Sequence, residues 1–132
     1  MKTFYIANNY ERRVHTRIVS RFISDKLGWS CTSRWLDGME GDELHDIAFN
    51  DVTDCLAADE FVFINNEGEL RKKGRGKYVE LGLAIAAKKN IHVIGPRSDD
   101  YYIDTPFLHW VTINVYPDYE DFVEKQKFRT VV

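Results

Sequence analysis

The chain has 132 residues, of which 44% are hydrophobic and 14% aromatic, and its formal net charge is -3. This length predicts a single domain, residues 1–132, around one core, and the mild acidity without a charged tail favours a small-molecule partner over nucleic acid or a membrane. No signal peptide and no run of about 18 apolar residues is recognisable, so a cytoplasmic location is expected.

The first half of the chain alternates predicted strands and helices. Residues Thr3–Ala7, "TFYIA", are β-branched and aromatic, which indicates a strand buried on both faces. Apolar residues three and four apart predict a helix over Arg13–Leu27, and Gly28 ends it. A second strand is predicted over residues 29–36. After an acidic loop with two glycines, a second helix is predicted over residues 42–57.

The second half continues the alternation. Residues 60–66, "EFVFINN", form the clearest predicted strand, and a polar loop separates them from a third helix predicted over residues 77–88. "IHVIG", residues 91–95, predicts a fourth strand with a glycine stop. A fifth strand over residues 110–116 and a final helix over residues 118–127 complete the order.

Strands that alternate with helices predict an α/β fold. We expect a single-domain, doubly wound (Rossmann/flavodoxin-like) parallel sheet of five strands with helices on both faces. Ligands bind such sheets beyond the carboxyl ends of the strands. The loops at that edge are residues 8–12, 35–43, 65–77 and 95–106.

Glu80 is an acidic residue on a helix face that otherwise looks like core. Its neighbours at helical spacing are Leu83, Ala84 and Ala87. The expected position in the first turn would supply backbone N–H groups and the positive end of the helix dipole, and so keep the pKa of Glu80 low. An ionised, desolvated carboxylate can act as a nucleophile. A simple helix-capping glutamate is the alternative interpretation.

Asp51 is likewise an acidic residue on the predicted core face of the second helix, and Asp54 follows about one turn further on. The predicted buried stripe that Asp51 interrupts consists of Leu44, Ile47, Ala48, Val52 and Cys55. Because both helices follow loops on the ligand-binding edge, we expect Asp51 and Glu80 to converge on one pocket, one as nucleophile and one to handle protons. Alternatively, Asp51 hydrogen-bonds a neighbouring loop. For Asp59, a structural, turn-stabilising role is expected.

The pattern of these acids resembles a known enzyme family. "DVTDCLAADEFVFINN" and "GRGKYVELGLAIAAKKNIHVIG" carry Asp51, Asp59 and the sequence Glu80-Leu81-Gly82. In that order they resemble the signature of the nucleoside 2-deoxyribosyltransferase family, which includes the deoxynucleoside 5'-monophosphate N-glycosidases. "FYIAN" resembles the first strand and substrate loop of that family, and "TSRWL" resembles a stretch that ends its second strand, so the resemblance spans residues 3–95.

The resemblance implies cleavage or transfer at the N-glycosidic bond of a (deoxy)nucleoside or nucleoside 5'-monophosphate. It implies Glu80 as the nucleophile that attacks the anomeric carbon. Asp51 would orient or protonate the leaving base, or hold the nucleophile in place. Tyr5 matches a position that lines the sugar site, and Trp35 is well placed to stack on a base. Asn8, in the loop after the first strand, is expected to contact substrate.

The loop before the third helix is cationic and rich in glycine. Gly74, Arg75 and Gly76 could cradle a phosphate beside a helix N-terminus, and a solvated insertion is the alternative. The phosphate motif of the monophosphate-cleaving relatives is replaced by "ANNYERR" after the first strand and by Gly74 in this loop. The transferases carry an aspartate at the latter position, so hydrolysis and transfer both stay open.

Two rival functions stay open, and the first of them follows from those replacements. The first is a catalytically silent module that binds a nucleotide or an NAD-derived metabolite in the same cleft. The second, a weaker rival, is nucleic-acid binding through the basic loop. No cofactor is expected, and the four histidines show no paired ligand spacing, so no metal site is predicted. The resemblance also implies a homodimer or higher homo-oligomer, with residues 101–111 as a possible contact.

Overall fold

Five strands form one parallel sheet in a computed structural model that describes residues 2–39, 41–66, 75–97 and 105–131. The strands are β1 (Thr3–Ala7), β2 (Ser30–Cys31), β3 (Glu60–Ile64), β4 (Asn90–Ile94) and β5 (Asn114–Tyr116). The helices are α1 (Arg13–Leu27), α2 (Leu44–Ala57), α3 (Arg75–Ala86) and α4 (Tyr119–Val131). Short 3₁₀ turns cover Tyr10–Arg12, Arg34–Asp37 and Pro106–His109.

The sheet is doubly wound, as the alternation of elements predicts. Its strand order is β2-β1-β3-β4-β5, and every neighbouring pair is parallel. Helix α1 contacts α4 and helix α2 contacts α3, so one pair covers each face. The order reverses between β1 and β3, and that switch point opens a crevice beyond the carboxyl ends of the strands. The predicted Rossmann/flavodoxin-like fold class is confirmed.

The core lies between the helices and the central strands. All five residues of β3 are buried, and Phe4, Tyr5, Ile6 and Ala7 of β1 are 0% exposed. Strands covered on both faces need no alternation of polar and apolar residues, which explains their continuous apolar sequences. None of the helices in the described part of the chain is both long and apolar enough to cross a membrane.

The second strand is much shorter than the predicted range of residues 29–36. Side chains replace the backbone ladder beyond Thr32, whose N–H still donates to the Phe4 carbonyl at 2.8 Å. Ser33 Oγ then accepts from the backbone N–H of Ile6 at 2.8 Å. Trp35 Nε1 donates to the carbonyl of Ile6 at 2.9 Å. The backbone N–H of Arg34 is bound by the Asp54 carboxylate at 3.0 Å. With these backbone groups satisfied, the chain turns into a 3₁₀ helix at the sheet edge.

The predicted buried stripe of α2 is wrong at most of its positions. Leu44 is 85% exposed and Val52 42% exposed, whereas the buried residues of the helix are Asp54 and Cys55. Asp54 can be buried because its carboxylate is bound by the Arg34 guanidinium. The helix is therefore rotated so that its core side is centred on Asp54 and Cys55.

Two turns fix the ends of the central strands. Asp59 Oδ2 accepts from the backbone N–H of Thr3 at 3.2 Å and from its hydroxyl at 3.3 Å, the turn-stabilising contact expected of it. At the other end, Gly95 has a φ of +118°, and a Cβ there would lie 2.0 Å from the carbonyl oxygen of Asn65. Only glycine lets the chain leaving β4 pass this close to the chain leaving β3.

Candidate active site

A cleft of about 540 Å³ opens at the carboxyl ends of the strands, beside the switch point between β1 and β3. Four elements contribute to it: the loop after β1, the 3₁₀ turn after β2, and helices α2 and α3. The lining residues are Asn8, Asn9, Tyr10, Glu11, Trp35, Met39, Asp51, Gly76, Lys77 and Glu80. Two acids from different helices, Asp51 and Glu80, thus face the same cleft.

Glu80 occupies the second turn of α3, which corrects the predicted first-turn position. The helix begins at Arg75, two residues before the predicted start at Lys77. The unpaired N–H groups of a helix belong to its first four residues, so they do not reach Glu80 directly. Burial raises the pKa of Glu80 to about 8, and the nearby charge of Asp51 adds to this rise. The predicted low pKa is therefore wrong.

Tyr5 connects the first strand to Glu80. Its hydroxyl donates to Oε2 of Glu80 at 3.0 Å, while its ring is fully buried and stacks on Phe61 with the ring centres 6.0 Å apart. Burial, followed by the Glu80 charge, raises the pKa of Tyr5 far above its ordinary value, so the hydroxyl keeps its hydrogen. This hydrogen bond favours the ionised form of Glu80 and opposes the rise in its pKa.

Asp51 is the more acidic member of the pair. Burial raises its pKa to about 6, with a further increase from the Asp54 charge and a decrease from Arg34. With pKa values of about 6 and about 8, the two carboxyl groups together carry about one proton near pH 7, and Glu80 holds most of it. Pairs of acids with separated pKa values are the usual basis for dividing acid and nucleophile roles.

Two contacts stabilise the parts of the chain that carry Asp51 and Glu80. Arg34 binds Asp54 through Nε at 2.9 Å and Nη2 at 2.9 Å, which ties the 3₁₀ turn Arg34–Asp37 to α2, the helix that carries Asp51. The Cys55 thiol lies 3.9 Å from the backbone carbonyl of Glu80. Burial raises the pKa of Cys55 to about 12, so the thiol stays protonated as a packing and donor group.

The predicted substrate-binding residues differ in how they face the cleft. Trp35 lines it but is only 6% exposed, with its indole N–H bound to the Ile6 carbonyl. The Asn8 amide is held by protein partners: its nitrogen donates to Thr16 Oγ1 at 3.0 Å, and its oxygen accepts from the backbone of Asn9 and from Asn66. Asn8 thus shapes the loop at the wall of the cleft.

Of the glycine-rich loop, the structure describes residues 65, 66 and 75–77. Gly76 lines the cleft from the first turn of α3, and Arg75 is the first residue of that helix. Gly74 lies outside the described residues. Lys77, predicted as part of the cationic loop, is instead 2% exposed, donates from Nζ to the carbonyl of Ile64 at 2.9 Å and lies 4.9 Å from the centre of the Phe63 ring.

Sequence reasoning missed the mouth of the cleft. Tyr10, Glu11 and Met39 line it, and the Tyr10 hydroxyl accepts from the backbone N–H of Met39 at 3.1 Å and from Arg13. These contacts connect the loops after β1 and β2. The position of "NNYE" directly after a buried strand was the available signal, since such loops line the crevice. No group of three or more residues suited to hold a metal ion occurs among the described residues.

Comparison with known proteins supports the fold. The sequence matches no family model and no curated protein significantly. The CMP N-glycosidase BcmB of Clostridium botulinum is 16% identical over 96% of this chain and 99% of its own, with a TM-score of 0.60. A conserved protein from Enterococcus faecalis V583 is 16% identical over 98% of this chain and 99% of its own, with a TM-score of 0.77. At this identity, the two structures share the fold with the present chain.

Proposed function

We propose that this protein is an enzyme that breaks the N-glycosidic bond of a (deoxy)nucleoside or nucleoside 5'-monophosphate, with Glu80 as nucleophile. The observation that carries the proposal is the convergence of Glu80 and Asp51 on one cleft, with Tyr5 bonded to Glu80 at 3.0 Å. The similar fold of a protein described as a CMP N-glycosidase supports it. So does the resemblance of the acid pattern to the nucleoside 2-deoxyribosyltransferase family.

The single proton shared by the acids suits this chemistry. When it moves from Glu80 to Asp51, Glu80 becomes an ionised nucleophile and Asp51 a protonated acid. Glu80 then attacks the anomeric carbon and forms an ester with the sugar. The C–N bond breaks, its electron pair stays with the base, and the base takes the proton from Asp51. Attack by water or by a second base at the same carbon releases Glu80 as a carboxylate.

The surroundings of the pair support each step. The Tyr5 hydroxyl stabilises negative charge on Glu80 as it loses its proton and again when the ester is cleaved. Trp35 offers an indole wall, and Tyr10 a ring at the mouth, against which a planar base can pack. Hydrolysis or transfer then depends on whether water or a second base reaches the ester.

The proposal is tested by following release of free base from deoxynucleosides and their 5'-monophosphates by chromatography. We expect wild-type protein to release base from at least one of them, and Glu80→Gln to lower the rate at least about a thousandfold, because an amide cannot form the ester. Glu11→Gln is the matched control, since Glu11 also lines the cleft and has no assigned role. Equal rates for Glu80→Gln and wild type would refute the assignment.

A catalytically silent binding module is the second candidate. The raised pKa of Glu80 favours it, since a protonated glutamate donates a hydrogen bond but does not attack carbon. Such a module would hold a nucleotide or an NAD-derived metabolite in the same cleft. A rise in Tm with these ligands, without any product in the chromatogram, would support this alternative against the enzyme.

We also propose that two copies associate through α2. Its outer side exposes apolar residues that a monomer has no reason to keep in water, and Val79 of α3 extends the surface. The exposed fractions are 85% for Leu44, 69% for Phe49, 42% for Val52, 43% for Leu56 and 70% for Val79. Light scattering would then give twice the chain mass for wild type and a lower mass for Phe49→Asp.

The other predicted contact, residues 101–111, is described only from residue 105 onward. There Phe107 is 61% exposed, Trp110 46% and Val111 88%, so this segment is an additional candidate surface. The single domain over residues 1–132 and the cytoplasmic location stay predictions.

A further inference from the structure

A second cleft, of about 350 Å³, lies at the opposite end of the sheet from the candidate active site. It opens at the amino ends of the strands, where Glu60 begins β3, and His92 of β4 lines it from the next strand. Trp29 and Gln126 contribute walls, and Lys2 lies at the edge. None of these residues takes part in the proposed reaction, since the whole length of β3 separates them from the acid pair.

Two buried polar atoms in this cleft lack hydrogen-bond partners within the described part of the chain. They are Oε2 of Glu60 and Nε2 of His92, and the residues are 2% and 1% exposed. The atoms lie 3.7 Å apart, which is too far for a direct hydrogen bond. Buried polar groups are nearly always satisfied by protein, water or ligand, so this pair indicates a place for a further molecule.

The neighbours of His92 determine whether its Nε2 atom is a hydrogen-bond donor or an acceptor. Gln126 donates from Nε2 to the hydroxyl oxygen of Tyr116 at 2.9 Å, and that hydroxyl lies 3.1 Å from Nδ1 of His92. We assign the imidazole hydrogen to Nε2, because Nε2 faces the Glu60 carboxylate oxygen at 3.7 Å, and Nδ1 then accepts from the Tyr116 hydroxyl. Nε2 is then a donor and not a metal ligand, while Oε2 of Glu60 is an acceptor.

Glu60 supplies that acceptor as a carboxylate. Burial acts to raise its pKa, but the contacts with His92 and with Lys2 outweigh burial and lower it. Lys2 Nζ binds the other oxygen, Oε1, at 3.2 Å and also lies 5.5 Å from the centre of the Trp29 ring. Because the Lys2 side chain is 56% exposed, it can swing into solvent and uncover the cleft.

We propose that this cleft binds a small planar molecule bearing a carboxamide, whose N–H donates to Oε2 of Glu60 and whose carbonyl accepts from Nε2 of His92. A carboxamide presents a donor and an acceptor side by side on one edge, which complements an acceptor and a donor 3.7 Å apart. A cyclic amide, as in several nucleobases, has the same edge. Carboxylates lack the donor, and simple cations lack the acceptor.

The proposal is tested with the full chain, using nicotinamide and acetamide as probes and methyl nicotinate as the matched negative control. The ester keeps the ring and the carbonyl of nicotinamide but has no N–H. We expect the side-chain nitrogen resonances of His92 to shift in a saturable way with both amides and not with the ester. The titration is repeated in Glu80→Gln, where an unchanged shift separates this cleft from the proposed catalytic site.

Substitution of Glu60 provides the second arm. Glu60→Met keeps the side-chain length without an acceptor, and we expect it to weaken amide binding about tenfold or more, as for a lost hydrogen bond to a charged group. Glu124→Gln is the control acid on α4, since Glu124 is largely exposed. The assignment is overturned by unshifted His92 resonances at saturating amide, by equal binding of the ester, or by unaltered affinity in a folded Glu60→Met protein.

Discussion

The hydroxyl of Tyr5 donates to Oε2 of Glu80 at 3.0 Å, although 75 positions separate the two residues in the sequence. The bond runs from strand β1 to the helix that follows β3, across the switch point of the sheet. The Tyr5 ring is fully buried and stacks on Phe61, so close packing holds its hydroxyl in place beside the Glu80 carboxylate.

Tyr5→Phe should lower catalytic activity and change its pH dependence. Loss of the hydroxyl removes the hydrogen bond that lowers the pKa of Glu80, so this pKa should rise above about 8. We expect kcat to fall about tenfold, the usual cost of one hydrogen bond to a charged group. The alkaline limb of the pH profile should move to higher pH. A lower kcat with an unmoved limb would indicate a merely structural role for Tyr5.

The proposed reaction should have a bell-shaped pH profile in the wild-type protein. Below about pH 6 both acids are protonated and no nucleophile exists, whereas above about pH 8 both are ionised and no acid remains for the leaving base. The maximum of kcat/KM should therefore lie near pH 7. Rates measured from pH 4 to 10 in buffers of constant ionic strength provide the check, and a flat profile across this range would contradict the shared proton.

Glu80→Gln should stabilise the protein at alkaline pH. The pKa of Glu80 rises from 4.5 to about 8 on folding, so the folded state binds more protons than the unfolded state between these values. Its contribution to stability therefore falls as pH increases through that window, and the charge costs most above pH 8. We expect the variant to be about 2 kcal/mol more stable than wild type at pH 9.

Urea unfolding at pH 9 and pH 5 measures that difference. At pH 5 the folded Glu80 is protonated, so the glutamine should bring little gain. Glu11→Gln serves again as the control, because Glu11 is an exposed acid whose carboxylate stays in contact with water in the folded protein. An equal gain for Glu80→Gln at both pH values would exclude ionisation of Glu80 as its cause.

Gly95→Ala should destabilise the fold severely. The new Cβ would lie 2.0 Å from the Asn65 carbonyl oxygen, and a φ of +118° is strained for alanine. We expect a loss of about 3 kcal/mol in the free energy of unfolding. Gly82→Ala is the matched control, since Gly82 lies inside α3 with nothing within 4 Å of its added Cβ, and alanine there should add about 1 kcal/mol.

Local pattern was enough to predict much of the fold. The bounds of β1 and α1 agree with the apolar spacing. A strand buried on two faces has a continuous apolar sequence, and a helix buried on one face has apolar residues three and four apart. The stop at Gly28 was equally visible, since its φ of +70° is the left-handed conformation that glycine favours after a helix.

Features that depend on distant partners could not be predicted. The end of β2 is decided by Ser33, Trp35 and Asp54, which take backbone groups that a strand would otherwise pair. The early start of α3 places Gly76 inside the helix, against its low helical propensity. That shift moved Glu80 into the second turn, so burial and Asp51 came to decide its pKa.

The separation of Tyr5 from Glu80 also bears on when the proposed active site forms during folding. Closing a loop of 75 residues has an entropic cost that no single helix recovers, so the contact forms only when β1 docks beside β3. During refolding, the helices can form before this long-range strand pairing. The proposed activity should consequently appear with the last sheet contacts, so that its recovery would report correct strand order.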